Sequence, residues 1–501
     1  MRINLSVERQ TGLGRICRIT EWGTFPEPTD IQTPAYLTYT RVGHIPNITW
    51  DVYEKELKQN LKQRQVFQLT LGSFYDSLDA VEGIGIRDFC FMPKDSILHL
   101  THHDSLKKIP ANSNTTKSMA LWAKAGRRSI DAKIYTKVLK MCQVHSFVGL
   151  NDFDTPLAAQ RKRLGKSLFR TTEWNNEMMG IKSLDGHLDG LMMKKEHDID
   201  ETPFIPLGGG FSKEYRTLAV NNMNNLPYAT AFAIDLWHVS QGNVDGKESF
   251  DQEVVKDLIG DVSMALPPEA PKLVEGAFDP SQILSLVKLG IDLFDSSYAI
   301  LLADKGQSFR IGENYWKTGE FKVLDFKNDE FKEDMDLLYP DCGCHTCKTF
   351  KKAYIKHLID TKELLGPVLL TIHNMTEFDR MKWTMLNWIG DMTGRVDNET
   401  KEEADYRNAR EELTEWNSTF WTAHNQLFEK KKSEFIKMKK QKLGKLEQVS
   451  PADMSVFYRE FLNERAEEFR KYNNEWYRRN FSLIFPAMKI NWIRFCRLLK
   501  R

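Results

Sequence analysis

Lys272-Leu273-Val274-Glu275-Gly276 leads into Asp279-Pro280-Ser281-Gln282-Ile283-Leu284, and that into Leu289-Gly290-Ile291-Asp292-Leu293-Phe294-Asp295. The first run is short, apolar and closed by a glycine, which reads as a buried strand. Asp279 followed by Pro280 reads as a helix start, with proline at the first helical position. The last run ends that helix and supplies the next strand. Strand, helix and strand in quick succession predict a parallel pair. Asp295 then stands at the C-terminal end of a strand. Barrel enzymes keep their chemistry at such ends. An aspartate there also serves as a turn or cap residue.

The same alternation extends outward from this unit. Residues 65–71, 230–236 and 321–326 read as strands, and 131–141, 250–264, 280–289 and 347–365 as helices. Repeated strand–helix units over the first 390 residues predict an α/β fold. Polar stretches at 112–118, 194–201 and 401–405 read as loops or linkers.

Composition sets limits on the 501 residues. Apolar residues make up 41% and charged residues 28%, ordinary for a globular protein and too apolar for a disordered one. No apolar run reaches the roughly 18 residues of a membrane span, so no transmembrane segment is expected. The first 18 residues carry four arginines against Glu8, but Gly12 and Gly14 break the helix that a mitochondrial presequence needs. Seven cysteines are an odd count for a secreted disulfide framework, and three of them crowd into residues 342–347.

Net charge divides unevenly along the chain. Residues 391–501 hold 23 Lys+Arg and 18 Asp+Glu, whereas the whole chain holds 70 and 69. The overall +1 is therefore a mildly acidic body offset by a basic tail. The tail contains only Gly394 and Gly444, with Pro451 and Pro486, and is dense in aromatics. Aromatic spacings of three, four and seven predict two or three long helices. Ser450 and Pro451 read as a cap and first turn. The lysines 430–432, 437, 439, 440, 442 and 445 form either a solvated helix face or a clamp for phosphates.

Cys342-Gly-Cys344-His-Thr-Cys347 is followed 26 residues later by His373. Three thiolates and an imidazole suit tetrahedral Zn²⁺. Cys342, Cys344, Cys347 and His373 are the expected ligands of one structural zinc per chain, because four protein ligands leave no open position. His345 and His357 compete for the fourth place. His345 is expected to point away, and His357 to lie on a helix surface.

The zinc motif, with Ala353-Tyr354-Ile355-Lys356-His357-Leu358 and Leu370-Thr371-Ile372-His373-Asn374, resembles the zinc subdomain of tRNA-guanine transglycosylases. The likeness runs back through 289–295 and 272–277 to Thr33-Pro34-Ala35-Tyr36-Leu37-Thr38-Tyr39-Thr40. It implies a (β/α)₈ TIM barrel over residues 1–388, with the zinc subdomain at about 340–375. That family exchanges guanine at the tRNA wobble position through an aspartate nucleophile and a second aspartate that acts as acid/base. By this resemblance Asp295 falls at the nucleophile and Asp152 at a base-binding aspartate. Gly242 and Gly246 retain part of a glycine-rich pocket segment. The family's acid/base signature falls on residues 123–128, which puts Ala123 at the lost carboxylate. Ser296-Ser297-Tyr298 stands where the family has proline–threonine–arginine. A positioned acid/base typically contributes about 10²–10⁴-fold in rate, and alanine supplies none of it.

This pattern resembles the accessory branch of the eukaryotic enzymes, implying a non-catalytic subunit that pairs as a heterodimer with a catalytic paralogue and contacts tRNA. The resemblance also implies a cytoplasmic location, peripheral on the mitochondrial outer membrane. An active transglycosylase using Asp295, with Asp152 or Asp154 as a relocated acid/base, is the alternative. The tail, residues 389–501, resembles the apoptogenic proteins linked to cytochrome c oxidase assembly. It does so through the blocks 409–421, 457–462 and 472–481. This implies an all-α extension and a third reading, a mitochondrial assembly factor acting through the tail. A natural fusion and a mistaken joining of neighbouring genes would both give such a chain.

Overall fold

A computed structural model describes residues 3–394 apart from 61–63, 111–112, 183–192, 195–198, 225–229 and 246–250, then scattered positions between 402 and 439, and 451–498. The chain separates into two compact units, Met1–Thr393 and Gly394–Arg501.

In the first unit eight parallel strands close into a barrel. In chain order they are Ala35–Thr40, Val66–Thr70, Ile97–Thr101, Ser146–Val148, Thr202–Leu207, Phe232–Ile234, Lys272–Leu273 and Leu293–Asp295. The eighth pairs with the first through Leu293–Ala35, Phe294–Tyr36 and Asp295–Leu37, which seals the sheet and leaves it no edge. Alternate residues face inward: Leu37, Val66, Ile97, Phe204, Leu273 and Leu293 share one core with the underside of the barrel.

The stretch 272–295 folds as the sequence predicts. Helix Pro280–Lys288 starts on a complete capping box, in which the Asp279 side chain accepts from Gln282 N and the Gln282 side chain accepts from Asp279 N. Gly276 has φ +140° and lies so close to Ser240 that a Cβ would sit 2.5 Å from its side chain. Only glycine fits that turn.

An antiparallel sheet of Asn4–Thr11, Gly14–Glu21 and Ile31–Thr33 covers the underside of the barrel. Trp22 Nε1 donates to Ser146 Oγ at 2.8 Å. Arg15 forks onto Asp292 at 2.8 and 2.6 Å and donates also to the carbonyls of Pro268 and Ala270. Asp292 accepts a further bond from Lys272 N. Both charges are buried and both are satisfied, the condition under which a buried pair is tolerated.

Two elements differ from the sequence reading. The helix expected over 347–365 is two short helices, His345–Thr349 and Lys352–Asp360. The chain turns extended at Phe350, and the apolar segment after residue 365 opens a 30-residue helix, Leu365–Gly394. Residues 321–326 do form a strand, Phe321–Asp325, but outside the barrel. It pairs with Gln307–Ile311 in a two-stranded antiparallel sheet.

The second unit is helical, with Pro451–Glu464 and Ala466–Leu498. Ser450, the expected cap, lies outside the described residues. Aromatic rings hold the unit together: Phe420 stacks on Tyr472 at 4.0 Å, His424 meets Phe469 at 4.9 Å and Phe428 meets Phe461 at 5.2 Å. Several tail lysines serve this packing. Lys431 pairs with Glu464, and Lys432 and Lys439 lie over Phe428 and Phe435. Among the described residues no helix is long and apolar enough to cross a membrane.

Candidate functional site: metal centre and barrel mouth

Cys342, Cys344, Cys347 and His373 are all buried, and their ligand atoms lie within 4.8 Å of one another. His373 Nδ1 stands 3.8, 3.8 and 3.2 Å from the three sulfurs in that order. Edges of a tetrahedron with metal–sulfur bonds of about 2.3 Å would be roughly 3.5–3.8 Å, so the quartet fits a metal ion such as zinc. Its supports are built in. His373 Nε2 donates to Phe309 O at 2.9 Å, which turns Nδ1 toward the sulfurs. Tyr339 stacks on the His373 ring at 4.8 Å. The next residue, Asn374, donates to the carbonyls of Ala299 and Gln307 and so ties the ligand helix to the eighth strand's helix and to the small sheet. His345 turns away toward Glu56, at 3.6 Å, and His357 is exposed. The tight turn works because Cys344 also caps helix His345–Thr349, accepting from Cys347 N.

At the C-terminal ends of the barrel strands lies a cavity of about 60 Å³. This is far below the roughly 300–1,000 Å³ of ordinary small-molecule pockets. Its lining includes Thr101, His102, Asn151, Asp235, Trp237 and Glu275. Asp295 is not among the lining residues, although it ends the eighth strand. Its carboxylate is saturated. Oδ1 accepts from the Ser297 amide at 3.0 Å and the Ser297 hydroxyl at 2.5 Å, while Oδ2 accepts from Ser105 Oγ at 2.7 Å and Gly276 N at 2.9 Å. Burial raises its pKa, against the pull of those four bonds.

Asp152 is engaged as fully. Arg163 forks onto it, Arg170 donates at 2.9 Å and Asn114 at 2.7 Å. Burial raises its pKa, but these donors outweigh burial and hold it below the usual carboxylate range. Its neighbours Asn151 and Phe153 line the cavity instead. Asp154 is buried and lies 4.0 Å from Arg163. Gly242 is buried within helix Trp237–Asp245, and Gly246 lies outside the described residues.

Ala123 does not line the cavity. It ends strand Met119–Ala123, which pairs with Gly126–Ile130 in a separate hairpin. The third barrel strand ends at Thr101, so His102, His103 and Asp104 are the residues that follow it. Asp104 accepts from Tyr39 Oη and pairs with Arg41 at 3.4 Å. His102 is buried, its Nε2 has no partner among the described residues, and burial pushes its pKa down to about 3. Glu275, which the sequence reading does not single out, also lines the cavity. It receives Gln68 Nε2 at 2.8 Å and Thr101 Oγ1 at 2.9 Å. Burial, then the charge of Asp295, pushes it up to about 7. The signal was available: Glu275 follows an apolar strand at the position that Asp295 holds in the next one.

A closed parallel barrel with a Cys₃His clip and carboxylates at its strand ends defines the class of architecture. The family described as "Queuine tRNA-ribosyltransferase" matches residues 10–391, and "Cytochrome c oxidase assembly factor 8" matches residues 392–496. A protein of Caenorhabditis elegans named "Queuine tRNA-ribosyltransferase accessory subunit 2" is 34% identical over 381 residues, 76% of this chain and 96% of that protein. Its namesake in Caenorhabditis briggsae is 36% identical over 386 residues, with the same shares. A mitochondrial COA8 family protein of C. elegans is 56% identical over 110 residues, 22% of this chain and 78% of that protein. The chain therefore belongs to the queuine tRNA-ribosyltransferase family through its barrel and to the cytochrome c oxidase assembly factor 8 family through its tail.

Proposed function

We propose that the barrel is a non-catalytic accessory subunit that pairs with a catalytic queuine tRNA-ribosyltransferase paralogue on tRNA. The observation that carries this reading is the Asp295 carboxylate, which has four protein donors and is absent from the cavity lining. A nucleophile needs a free lone pair aimed at the reacting carbon within about 3–3.5 Å. The relatives' name, accessory subunit 2, supports the same reading.

The Cys₃His group holds zinc in this proposal, and the metal does structural work. It fastens the helix that carries His373 to the turn at 342–347.

The tail acts separately, as an assembly factor at mitochondria, and its likeness to a mitochondrial protein supports that second reading. The chain is cytoplasmic and peripheral on the mitochondrial outer membrane. Cell fractionation with and without residues 394–501 tests this, and loss of mitochondrial signal on deletion is the expected result.

The deciding experiment measures queuine incorporation into tRNA by the chain alone, by the catalytic paralogue alone and by both together. Incorporation only in the mixture, with co-elution of the two chains, is expected. Full activity of the lone chain would overturn the accessory reading.

A further inference from the structure

Outside the barrel wall lies a second, larger cavity of about 150 Å³. One side is the outer face of the first barrel strand, where Tyr36 points away from the inward Leu37. Helix Leu365–Gly394 forms another side, through Met375 and Asp379. The third is a single π-helical turn, Tyr53–Leu57, which contributes both its end residues. Such turns break the regular hydrogen-bond ladder and occur often at functional sites. An apolar cavity of this size accepts a benzene-sized molecule.

The cavity has one polar anchor without a partner among the described residues, whereas the other polar residues of its lining are engaged: Thr38 with Gln65, Thr376 with Ile372, Asp379 with Trp383, and Arg380 with Ile311 and Glu377. Tyr36 is only 7% exposed, and its hydroxyl has no hydrogen-bond partner among the described residues. A buried hydroxyl left unpaired costs about 1–3 kcal/mol. Burial and then the neighbouring Asp379 carboxylate push its pKa well above the ordinary range, so it stays a neutral O–H donor. Its ring is fixed edge-on against Phe378 at 5.6 Å.

We propose that this cavity is a binding site for a small, uncharged, mainly apolar molecule with one hydroxyl group, anchored by Tyr36 Oη. An aromatic or alicyclic alcohol satisfies the orphaned phenol and fills the space between Tyr53, Leu57 and Met375. The occupant would brace a seam of some consequence. The helix on one side carries the metal ligand His373, and Glu56 of the π-helical turn meets His345 of the metal turn. A ligand bound only by the folded state stabilises it in proportion to ln(1 + [L]/Kd).

The test uses the full chain with ¹³C-labelled methionine methyls, the Met375 signal being assigned with Met375→Leu. Phenol and benzene are the probes. Phenol should shift the Met375 signal saturably and raise Tm. Tyr36→Phe should weaken phenol binding by about five- to tenfold, the usual worth of one hydrogen bond, and change benzene binding less than twofold. Leu57→Phe, which fills the cavity, should abolish both. A Met375 signal that phenol does not move, or equal phenol affinity in Tyr36→Phe and the parent, would overturn the proposal. If Leu57→Phe does not fold, the Tyr36→Phe pair decides alone.

Discussion

The metal centre and the barrel mouth are built from the same kinds of group, buried and chemically able side chains held at element ends. They are wired in opposite ways. At the metal centre, protein hydrogen bonds go to the far side of the ligands: His373 spends Nε2 on Phe309 O and leaves Nδ1 facing three sulfurs. At the mouth, the protein satisfies the reactive side itself. Asp295 takes four donors, and Asp152 is held by two arginines and an asparagine. Bonds to the far side of a group orient it and prepare it for a ligand. Bonds that saturate it make it part of the frame. The difference is legible atom by atom.

The metal centre should give the largest effect. Cys344→Ser removes one ligand while leaving a side chain that can still cap helix His345–Thr349. Binding energy of structural zinc in small domains is on the order of 10 kcal/mol, so metal loss should unfold the region around 342–373. Zinc content by mass spectrometry and Tm should fall together. A mutant that keeps one zinc per chain and melts like the parent has a different ligand set.

Asp152→Asn comes next. Both arginines would lose a charged partner in a buried place, and breaking such a pair costs about 3–5 kcal/mol. Arg163 is about one-fifth exposed, which pulls the expectation to the lower end. Urea unfolding measures it. A binding aspartate with no frame role would instead leave the midpoint unmoved.

Glu275→Gln should act in the other direction. The folded-state pKa of about 7 stands above the unfolded value near 4.5, so the folded state holds the extra proton. Stability linked to this group is full below about pH 4.5, falls as pH rises toward 7, and stays lost above it. The glutamine variant should be more stable at pH 8, by up to roughly 3 kcal/mol, and should lack this slope. The amide can still meet Gln68 and Thr101, since a hydroxyl both donates and accepts. Identical pH profiles of parent and variant would place the carboxylate in a more solvated setting.

Much of this was readable from the chain. The metal quartet is local in sequence and its chemistry is narrow, so three cysteines in six residues and one distant histidine were enough. Strands seven and eight were readable because apolar runs there are closed by Asp, Pro and Gly in the order a βαβ turn needs. The third, fourth and fifth strands were not. Ser146–Val148 is three residues long, and Thr202–Leu207 contains two prolines. No period shows in such runs, and closure of the barrel rather than propensity makes them strands. The state of Asp295 was hidden because its donors come from Ser105 and Gly276, one of them 190 residues away. The arginines on Asp152 were nearer to view. Arg163 and Arg170 stand seven apart on helix Arg161–Met178 and therefore share one face. The role of Ala123 rests on the resemblance alone, since it ends a two-stranded hairpin, Met119–Ala123 with Gly126–Ile130, beside the eight-stranded barrel sheet.

The central claim is that Asp295 belongs to the frame, not to the chemistry. Its most direct test is queuine incorporation by the pair of chains, with Asp295→Asn in this one. Asparagine keeps the shape and can still accept from Ser297. The pair should retain its rate within about twofold, even though the variant melts lower for want of the Gly276 and Ser105 contacts. A fall of roughly a thousandfold at a temperature where the variant is folded, the scale on which catalytic groups act, would make Asp295 a nucleophile and this chain an enzyme.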